Sequence, residues 1–462
     1  MTNRALSFSI FFLILFKITA IYFTNFGLYG DEAQYWLWSK AIDLGYYSKP
    51  PLLAWFLFGH TSLFGDSFFS LKTFPIAVYF FISFAIYGLC VSLSFDKKNS
   101  WLCAISFLII PATSLSSFLI STDLLLLLFW AISMVVLLKT ISMNSTYNFL
   151  LLGIFLGLAF LAKYAAIYFL ICLFLLLIID KKTFSAFKNN PVGVLVFLLS
   201  FLLVLGPNVW WNFINGWITV SHTSDNANLE NLNFNIYEPS KFLIAQIIMV
   251  GPFLFISFIF FIKYFSLDFE NKFLLAFSMP VLFLVLVESF LVRANANWAA
   301  PALISVFIMF FRLVVNKKTY LIKINFFLNY FVAICLFASI LISSESKVFS
   351  RINGINNFVD EVSEIINEKD LAVSDRIVFS NISYQLRKKQ NRVFMPYEEN
   401  TPISNHFQMS SPLRSGQKDT FFLLGNLNDV SYLSKKYQGK LIKEFDVIFS
   451  SKQLKLYEIS FK

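Results

Sequence analysis

The sequence predicts a polytopic α-helical membrane protein that carries a small α/β domain at its C-terminal end. Of the 462 residues, 57% are hydrophobic and only 14% are charged, whereas soluble domains contain about 45–50% apolar and about 25% charged residues. The charges are also uneven, because residues 344–462 contain 31 of the 64 Asp, Glu, Lys and Arg side chains. This composition excludes a soluble globular protein. It predicts a membrane body over residues 1–343 and a soluble domain over residues 344–462.

A membrane-spanning helix needs about 20 apolar residues, and eleven stretches of the body approach this length. They are 6–24, 74–94, 101–120, 124–140, 148–163, 165–180, 192–211, 241–262, 273–291, 298–315 and 325–343. If the N-terminus is cytoplasmic, the turns that carry residues 97–98, 139, 181–188, 263–272 and 317–323 lie inside, and the lysines in these turns agree with the positive-inside rule. The first stretch has span length and no small-residue cleavage site after it, so we expect an uncleaved span. The C-terminal domain then lies outside.

The outer loop over residues 25–73 contains the most informative motif, DEAQYWLWSKAIDLGYYSKPP. Asp31 and Glu32 directly follow the first predicted span, with several aromatic residues after them. Lys49 precedes Pro50 and Pro51, which stop a helix and hold the lysine on extended backbone. Two structural interpretations stay open: Asp31 can cap a helix, and Lys49 can extend to lipid headgroups. Two acids, a group of aromatic residues and a lysine fixed by two prolines in one loop are more than membrane anchoring needs.

Four further polar residues fall on the predicted outer face. Asp123 lies in a three-residue turn, 121–123, where it can also cap the next helix, and Lys163 lies at a break between two spans. A lysine inside a membrane is costly, so Lys163 either extends to headgroups or binds an anion. Arg293 offers a planar guanidinium suited to phosphate, or it is an interfacial arginine beside a tryptophan. His222, in the loop 206–240, is either structural or part of a site.

The run from Asp31 through the Lys-Pro-Pro motif resembles the membrane glycosyltransferases of the C-type fold (GT-C). Within that superfamily it is most similar to the bacterial transferases that attach aminoarabinose to lipid A, which are related to the protein O-mannosyltransferases. The resemblance covers about residues 25–300. It implies a polyprenyl-phosphate-sugar donor, an inverting transfer, and an active site on the periplasmic face of a bacterial inner membrane.

The resemblance also implies roles for individual residues. Asp31 and Asp123 would act at the acceptor, while the donor phosphate would be held by Lys49, Lys163 and Arg293. Supporting positions would be Glu32, Tyr46, Tyr164 and His222. Some relatives have a metal-binding glutamate before the Lys-Pro-Pro lysine, but this chain has Ser48 there. The sequence therefore does not support a metal site, and a role for a divalent metal stays open.

Transfer from such a donor needs cations for the leaving phosphate and a carboxylate to accept the proton of an acceptor hydroxyl. The expected acceptor is lipid A or another envelope glycan, and protein hydroxyls are the alternative. A transporter or lipid flippase would share the composition, but it would place polar groups near the bilayer midplane. Nucleic acid is not an expected partner, because the basic residues flank apolar segments in small groups.

The C-terminal domain alternates short apolar runs with polar turns, which is typical of strands and helices in a small α/β domain. The sequence predicts strands within 371–380, 391–397, 419–425, 440–449 and 453–459. It predicts helices over 353–368 and 380–389. No motif in this domain indicates a nucleophile, a glycine loop or a metal.

Overall fold

The computed structural model describes residues 3–227, 234–342, 349–414, 420–433, 437–447, 449 and 453–461. The chain forms two compact units. The first, the helical unit, groups residues 1–19, 49–53 and 72–338. The second, the sheet unit, groups residues 20–48, 54–71 and 339–462. Residues 25–48 and 54–71 of the first predicted outer loop therefore belong to the same compact unit as the C-terminal region, whereas residues 49–53 belong to the helical unit.

Helices dominate the chain up to residue 342. In chain order they are α1 (Asn3–Phe23), α2 (Gly30–Lys40), α3 (Leu52–Phe64), α4 (Phe68–Ser92), α5 (Lys97–Phe107), α6 (Pro111–Ser116), α7 (Thr122–Met143), α8 (Thr146–Ala162), α9 (Ile167–Ile179), α10 (Lys181–Lys188), α11 (Pro191–Ile214), α12 (Ile218–Ala227), α13 (Tyr237–Val250), α14 (Pro252–Phe261), α15 (Phe269–Ala276), α16 (Met279–Leu291) and α17 (Ala300–Ile342). By length and composition, six helices of the described residues can cross a membrane, or eight if two bent helix pairs each count as one span. The prediction of a multi-pass membrane protein is confirmed, whereas the count of eleven spans stays a prediction.

Two predicted span boundaries differ from the structure. The stretch 101–120 is not one helix: α5 ends at Phe107 and α6 starts at Pro111, because a proline lacks the N–H that would continue the preceding helix. The predicted turn 121–123 is also shorter, since α7 begins at Thr122 and Asp123 lies in its first turn. The two last predicted spans form α17, whose backbone leaves the helical conformation at Lys318.

The helical unit contains a sharp bend of 95° between α13 and α14. Gly251 joins the two helices with φ of 107°, a conformation that residues with a Cβ rarely adopt. A Cβ at this position would lie 3.3 Å from the side-chain amide of Asn329 on α17. The backbone conformation at the bend therefore requires glycine, and a Cβ would also make a tight contact with Asn329.

The sheet unit contains a six-stranded sheet with the order β3-β2-β1-β4-β6-β5. The strands are β1 (Leu371–Val373), β2 (Val393–Pro396), β3 (Pro412–Leu413), β4 (Thr420–Leu424), β5 (Tyr437–Phe445) and β6 (Leu454–Phe461). β1 to β4 pair in parallel, and β6 pairs antiparallel with both β4 and β5. Three helices accompany it: α18 (Ile355–Ile366), α19 (Arg376–Gln385) and α20 (His406–Ser410). Leu37 of α2 packs against the apolar cluster that α18, α19 and the sheet share.

The predicted strand over 371–380 is wrong in its second half, since the strand ends at Val373 and α19 begins at Arg376. The reason is a helix cap: the Asp375 carboxylate accepts hydrogen bonds from the backbone N–H groups of Ile377 and Val378. A side-chain cap of this kind satisfies donors at the first helical turn. The short strand β3 was not among the predicted strands.

Candidate active site

Two predicted site residues form an ion pair inside the helical unit. Lys163 Nζ lies 2.7 Å from Asp123 Oδ1, and the side chains are only 18% and 14% exposed. The second carboxylate oxygen of Asp123 accepts a hydrogen bond of 3.0 Å from the Asn297 amide. We refer to Asp123, Lys163 and Asn297 as the ion-pair site. Both oxygens of the Asp123 carboxylate are thus bound to Lys163 and Asn297. The residue at the N-cap position of α7 is Ser121, and its side chain makes no capping hydrogen bond.

The backbone at the end of α8 explains how Lys163 reaches this partner. α8 ends at Ala162, and Lys163 has an extended conformation with φ of −160° and ψ of 133° before a single 3-10 turn. The predicted break between two spans at this lysine is therefore present. Asp123 at the start of α7 compensates its charge, which explains how a lysine is tolerated among apolar helices.

A hydrogen-bonded group of polar side chains follows directly in sequence. The Tyr164 hydroxyl donates to Asn208 Oδ1 at 2.8 Å and accepts from Asn212 Nδ2 at 3.1 Å. Both asparagines are buried on α11, and Asn212 Oδ1 has no hydrogen-bond partner among the described residues. A buried acceptor of this kind is costly unless a donor reaches it. Tyr164 therefore links the ion-pair site to a polar position on α11.

The two acids of the first outer loop have different roles at the start of α2. Glu32 accepts a hydrogen bond of 2.7 Å from the Tyr29 backbone N–H and is buried. This return bond from the third helical residue to the cap residue is part of a capping box. Glu32, rather than Asp31, is the capping carboxylate. The capping interpretation of Asp31 is therefore wrong.

Asp31 instead projects a half-exposed carboxylate within the sheet unit. Its Oδ1 accepts from Arg376 Nη1 at 3.0 Å, with side chains 46% and 43% exposed. Arg376 also donates to Gln34 Oε1 at 2.9 Å. Sequence reasoning missed Arg376, since 345 positions separate it from Asp31 and nothing in its local sequence indicates a partner.

Tyr46, predicted as a supporting residue, is fully buried at the other end of α2. Its hydroxyl contacts the Trp38 and Ala41 carbonyl oxygens at 2.9 and 3.0 Å, and accepts from the Asp43 N–H at 3.2 Å. Its ring stacks on Trp38 at 4.6 Å. Burial raises the pKa of the Tyr46 hydroxyl above its ordinary value. These contacts fix the end of α2.

Sequence reasoning also missed two buried lysines of the helical unit. Lys17 donates to the Ser117 hydroxyl at 3.0 Å, and Lys72 donates to the Phe118 carbonyl oxygen at 3.1 Å. Both side chains are buried. The signal was present, because Lys17 interrupts an otherwise apolar run. Both lysines therefore bind residues that directly follow α6, Ser117 and Phe118.

Comparison with known proteins decides the class of the chain. The family described as dolichyl-phosphate-mannose-protein mannosyltransferase matches residues 48–211. The lipid A galacturonosyltransferase RgtD of Rhizobium johnstonii is 27% identical over 408 residues, which are 85% of each chain. The crystal structure of ArnT from Cupriavidus metallidurans in the apo state has a TM-score of 0.65, covering 98% of this chain and 97% of that one at 9% identity.

The chain is a membrane glycosyltransferase of the C-type fold. The resemblance predicted from the sequence and the predicted enzyme class are confirmed. A second ArnT structure, bound to undecaprenyl phosphate, has a TM-score of 0.62 and covers 99% of this glycosyltransferase and 98% of that chain, at 10% identity.

The remaining predicted site residues of this glycosyltransferase lie on separate elements. Lys49 is half-buried in the bend before α3, and His222 is half-buried on α12. Arg293 is exposed after α16, in the segment that leads to Asn297 of the ion-pair site. Within the described ranges, no three His, Cys, Asp or Glu side chains form a group that could hold a metal ion.

Proposed function

We propose that this glycosyltransferase moves a sugar from a polyprenyl-phosphate donor to lipid A, with inversion, on the periplasmic face of a bacterial inner membrane. The observation that carries the proposal is the match to the lipid A galacturonosyltransferase RgtD, which extends over 85% of both chains. The fold shared with ArnT in its complex with undecaprenyl phosphate supports the donor class. The N-terminus would be cytoplasmic, and the C-terminal domain would be periplasmic.

The reaction is one displacement at the anomeric carbon of the sugar. An acceptor oxygen forms a bond to this carbon while the bond from the carbon to the donor phosphate oxygen breaks. The polyprenyl phosphate leaves with the electron pair, and it needs positive charge rather than a proton. An acceptor hydroxyl must also lose its proton, whereas an acceptor phosphate has none to lose. A single displacement inverts the configuration.

Asp31 is the general base in this proposal. Its carboxylate is half-exposed, and its bond to Arg376 uses one oxygen, so the other can accept the proton of an acceptor hydroxyl. The Glu32 carboxylate is buried and bound to the Tyr29 backbone N–H, which makes it the residue that orients the first turn of α2. General-base catalysis contributes roughly 10²–10⁴-fold in rate.

The predicted donor-binding cations have different surroundings. Arg293 is exposed, and with Lys49 it supplies the positive charge for the leaving phosphate. Lys163 already has Asp123 as its partner at 2.7 Å. We propose that Asp123 and Lys163 act as one unit, in which Lys163 binds the donor phosphate while Asp123 holds the ammonium in place.

Mass spectrometry of lipid A tests the proposal directly. Lipid A is extracted from cells that lack the protein and from cells that produce the wild type, Asp31→Asn or Asp446→Asn. Asp446 is an exposed acid in the same compact unit as Asp31, so its variant is a matched control. We expect a sugar on lipid A with the wild type and Asp446→Asn, but not with Asp31→Asn. Unmodified lipid A in all four strains would exclude lipid A as the acceptor.

A protein acceptor is the second candidate, favoured by the family match over residues 48–211. Glycoproteomics of envelope proteins from the same four strains separates the two. Sugar on serine or threonine residues that depends on the protein, together with unmodified lipid A, would establish the second candidate and overturn the first.

A further inference from the structure

Helices α8 and α11 of the helical unit pack closely because α8 has glycine where the two helices meet. A Cβ on Gly153 would overlap the Ser200 hydroxyl. A Cβ on Gly157 would lie 2.8 Å from the Val204 Cβ. Small residues allow helix backbones to approach each other in this way. The contact therefore fixes how far α8 is shifted along α11.

The same face of α11 carries two buried asparagines farther along the helix. Asn208 and Asn212 continue the four-residue spacing of Ser200 and Val204, and side chains at this spacing form one ridge of a helix. The two asparagines are 3% and 1% exposed. Since α8 ends at Ala162, the residues that directly follow α8 lie beside these two amides.

Tyr164 binds both amides through its hydroxyl. The hydroxyl donates to Asn208 Oδ1 at 2.8 Å and accepts from Asn212 Nδ2 at 3.1 Å. Asn212 Nδ2 also donates to the Asn208 backbone carbonyl oxygen at 3.0 Å, which orients the Asn212 amide. A tyrosine hydroxyl has a single proton to donate, so one asparagine accepts it and the other donates. We refer to Tyr164, Asn208 and Asn212 as the tyrosine clamp.

The tyrosine clamp holds the residue next to Lys163 in the chain. Lys163 has an extended backbone between α8 and a single 3-10 turn that begins at Tyr164. Its ammonium lies 2.7 Å from Asp123 Oδ1. Because Tyr164 is tied to α11, the direction in which the Lys163 side chain leaves the backbone is restricted. The lysine is therefore held at its backbone by one set of contacts and at its ammonium by another.

We propose that Tyr164, Asn208 and Asn212 are positioning residues for Lys163, the lysine that binds the donor phosphate. A cation that is already in place stabilises a leaving phosphate better than a mobile one, because nothing has to rearrange as the charge develops. The inference rests on the proposed function for the role of Lys163 at the donor phosphate. The three positioning residues touch neither the sugar nor the phosphate, and they act through the lysine alone.

Calorimetric titration of the full-length protein in detergent tests the proposal without any transfer reaction. The probe is farnesyl phosphate, and farnesol is the comparison that lacks the phosphate. Tyr164→Phe keeps the ring and removes the hydroxyl. It should weaken the binding of farnesyl phosphate about tenfold, which corresponds to the loss of one hydrogen bond, and leave the binding of farnesol unchanged. Asn208→Leu should have a similar effect.

Tyr168→Phe is the matched control for the loss of a tyrosine hydroxyl. Tyr168 lies four residues later, on α9, and is also half-buried. Its hydroxyl makes no hydrogen bond within the part of the chain that the structure describes. Tyr168→Phe should therefore bind farnesyl phosphate as the wild type does. Unchanged affinity in Tyr164→Phe would overturn the proposal.

The Lys163→Met background separates a positioning role from a purely structural one. If the tyrosine clamp acts through the lysine, Tyr164→Phe should weaken the binding of farnesyl phosphate in the wild type but have no further effect in Lys163→Met. A structural role would lower the unfolding temperature in both backgrounds and leave the affinity of each unchanged. An equal loss of affinity in the two backgrounds would show that Tyr164 acts independently of Lys163, and it would also overturn the proposal.

The same measurements distinguish a failure of this proposal from a failure of the proposed function. Weaker binding in Lys163→Met but not in Tyr164→Phe would keep the donor role of the lysine and exclude the positioning role of the tyrosine clamp. Weaker, non-additive binding in both, together with unmodified lipid A in cells, would support the tyrosine clamp and exclude lipid A as the acceptor.

Discussion

Lys163 and Asp123 form an ion pair of 2.7 Å between the end of α8 and the first turn of α7. Both residues were predicted from the sequence as site residues with separate roles, at the donor phosphate and at the acceptor. Their pairing means that neither charge is independent. A substitution of one changes the electrostatic environment of the other, so their contributions to catalysis are coupled.

A double-mutant cycle on this pair should show the coupling. Asp123→Asn and Lys163→Met should each lower the transfer rate at least tenfold, because each leaves an uncompensated partner. Each should also lower the free energy of unfolding by roughly 1.5–3 kcal/mol, and the double variant should lose less than the sum of the two. The measurements are transfer rates with a synthetic polyprenyl-phosphate sugar and thermal unfolding in detergent.

The control for this cycle is the Glu238–Lys241 pair on α13. Its distance is similar, 2.6 Å, but its side chains are 27% and 69% exposed. Exposed pairs are worth about 0–1 kcal/mol, so Lys241→Met should leave both rate and stability near the wild type. Strictly additive effects at Asp123 and Lys163 would contradict the coupling.

Asp31 and Arg376 should respond differently to substitution. Asp31→Asn should reduce transfer to a hydroxyl acceptor by roughly 10²–10⁴-fold without changing thermal stability. Arg376→Gln removes a half-exposed ion pair and the hydrogen bond to Gln34, and it should reduce transfer by less than about tenfold. Transfer rates of the two purified variants decide this. If both variants lose activity equally, the arginine is part of the catalytic machinery and the base assignment is incomplete.

Gly251 should be intolerant of any side chain. Gly251→Ala places a Cβ at φ of 107° and 3.3 Å from the Asn329 amide, so we expect a loss of about 1–2 kcal/mol in the free energy of unfolding. Gly59→Ala is the matched control. Gly59 lies inside α3, where a Cβ would meet no atom within 4 Å. Alanine there should be neutral or slightly stabilising. Thermal unfolding of both variants in detergent measures this.

His406 should make the stability of the protein depend on pH in mildly acidic solution. Burial lowers the pKa of His406 to about 4, against the opposing effect of Asp43, while the unfolded state keeps the ordinary value near 6.5. Between these values the unfolded state binds the extra proton, so stability falls as the pH falls. The loss from pH 6.5 to pH 5 is about 2 kcal/mol.

Thermal unfolding of the wild type and His406→Gln at pH 7, 6 and 5 checks this prediction. The wild type should lose stability over this range, and the variant should lose much less. Parallel curves for the two proteins would show that the ring is not buried in its neutral form.

The helical class was predictable from the sequence because long apolar runs and charged turns follow directly from the physics of the bilayer. The positions at which individual helices begin and end were harder to predict. The α19 start was missed because Ile377 and Val378 favour strands, whereas the Asp375 carboxylate caps their backbone N–H groups. The α5–α6 break was missed because Pro111 lies in a run whose apolar character continues on both sides.

The site was predictable as a set of residues but not as a set of contacts. Lys163 and Asp123 are 40 positions apart, and Asp31 and Arg376 are 345 positions apart. Contacts between residues so far apart leave no periodic pattern in the local sequence from which they could be predicted. The capping role of Glu32 was recoverable in principle, because its return bond needs only a three-residue spacing.

The shared compact unit of the first outer loop and the C-terminal region limits how such proteins can be divided or recombined. Leu37 of α2 packs on the apolar cluster of the sheet unit, so residues 344–462 produced alone would expose the surface that this residue covers. An exchange of C-terminal regions between relatives would have the same effect unless residues 20–48 and 54–71 were exchanged with them. A functional exchange therefore has to move both parts of the sheet unit as a single block.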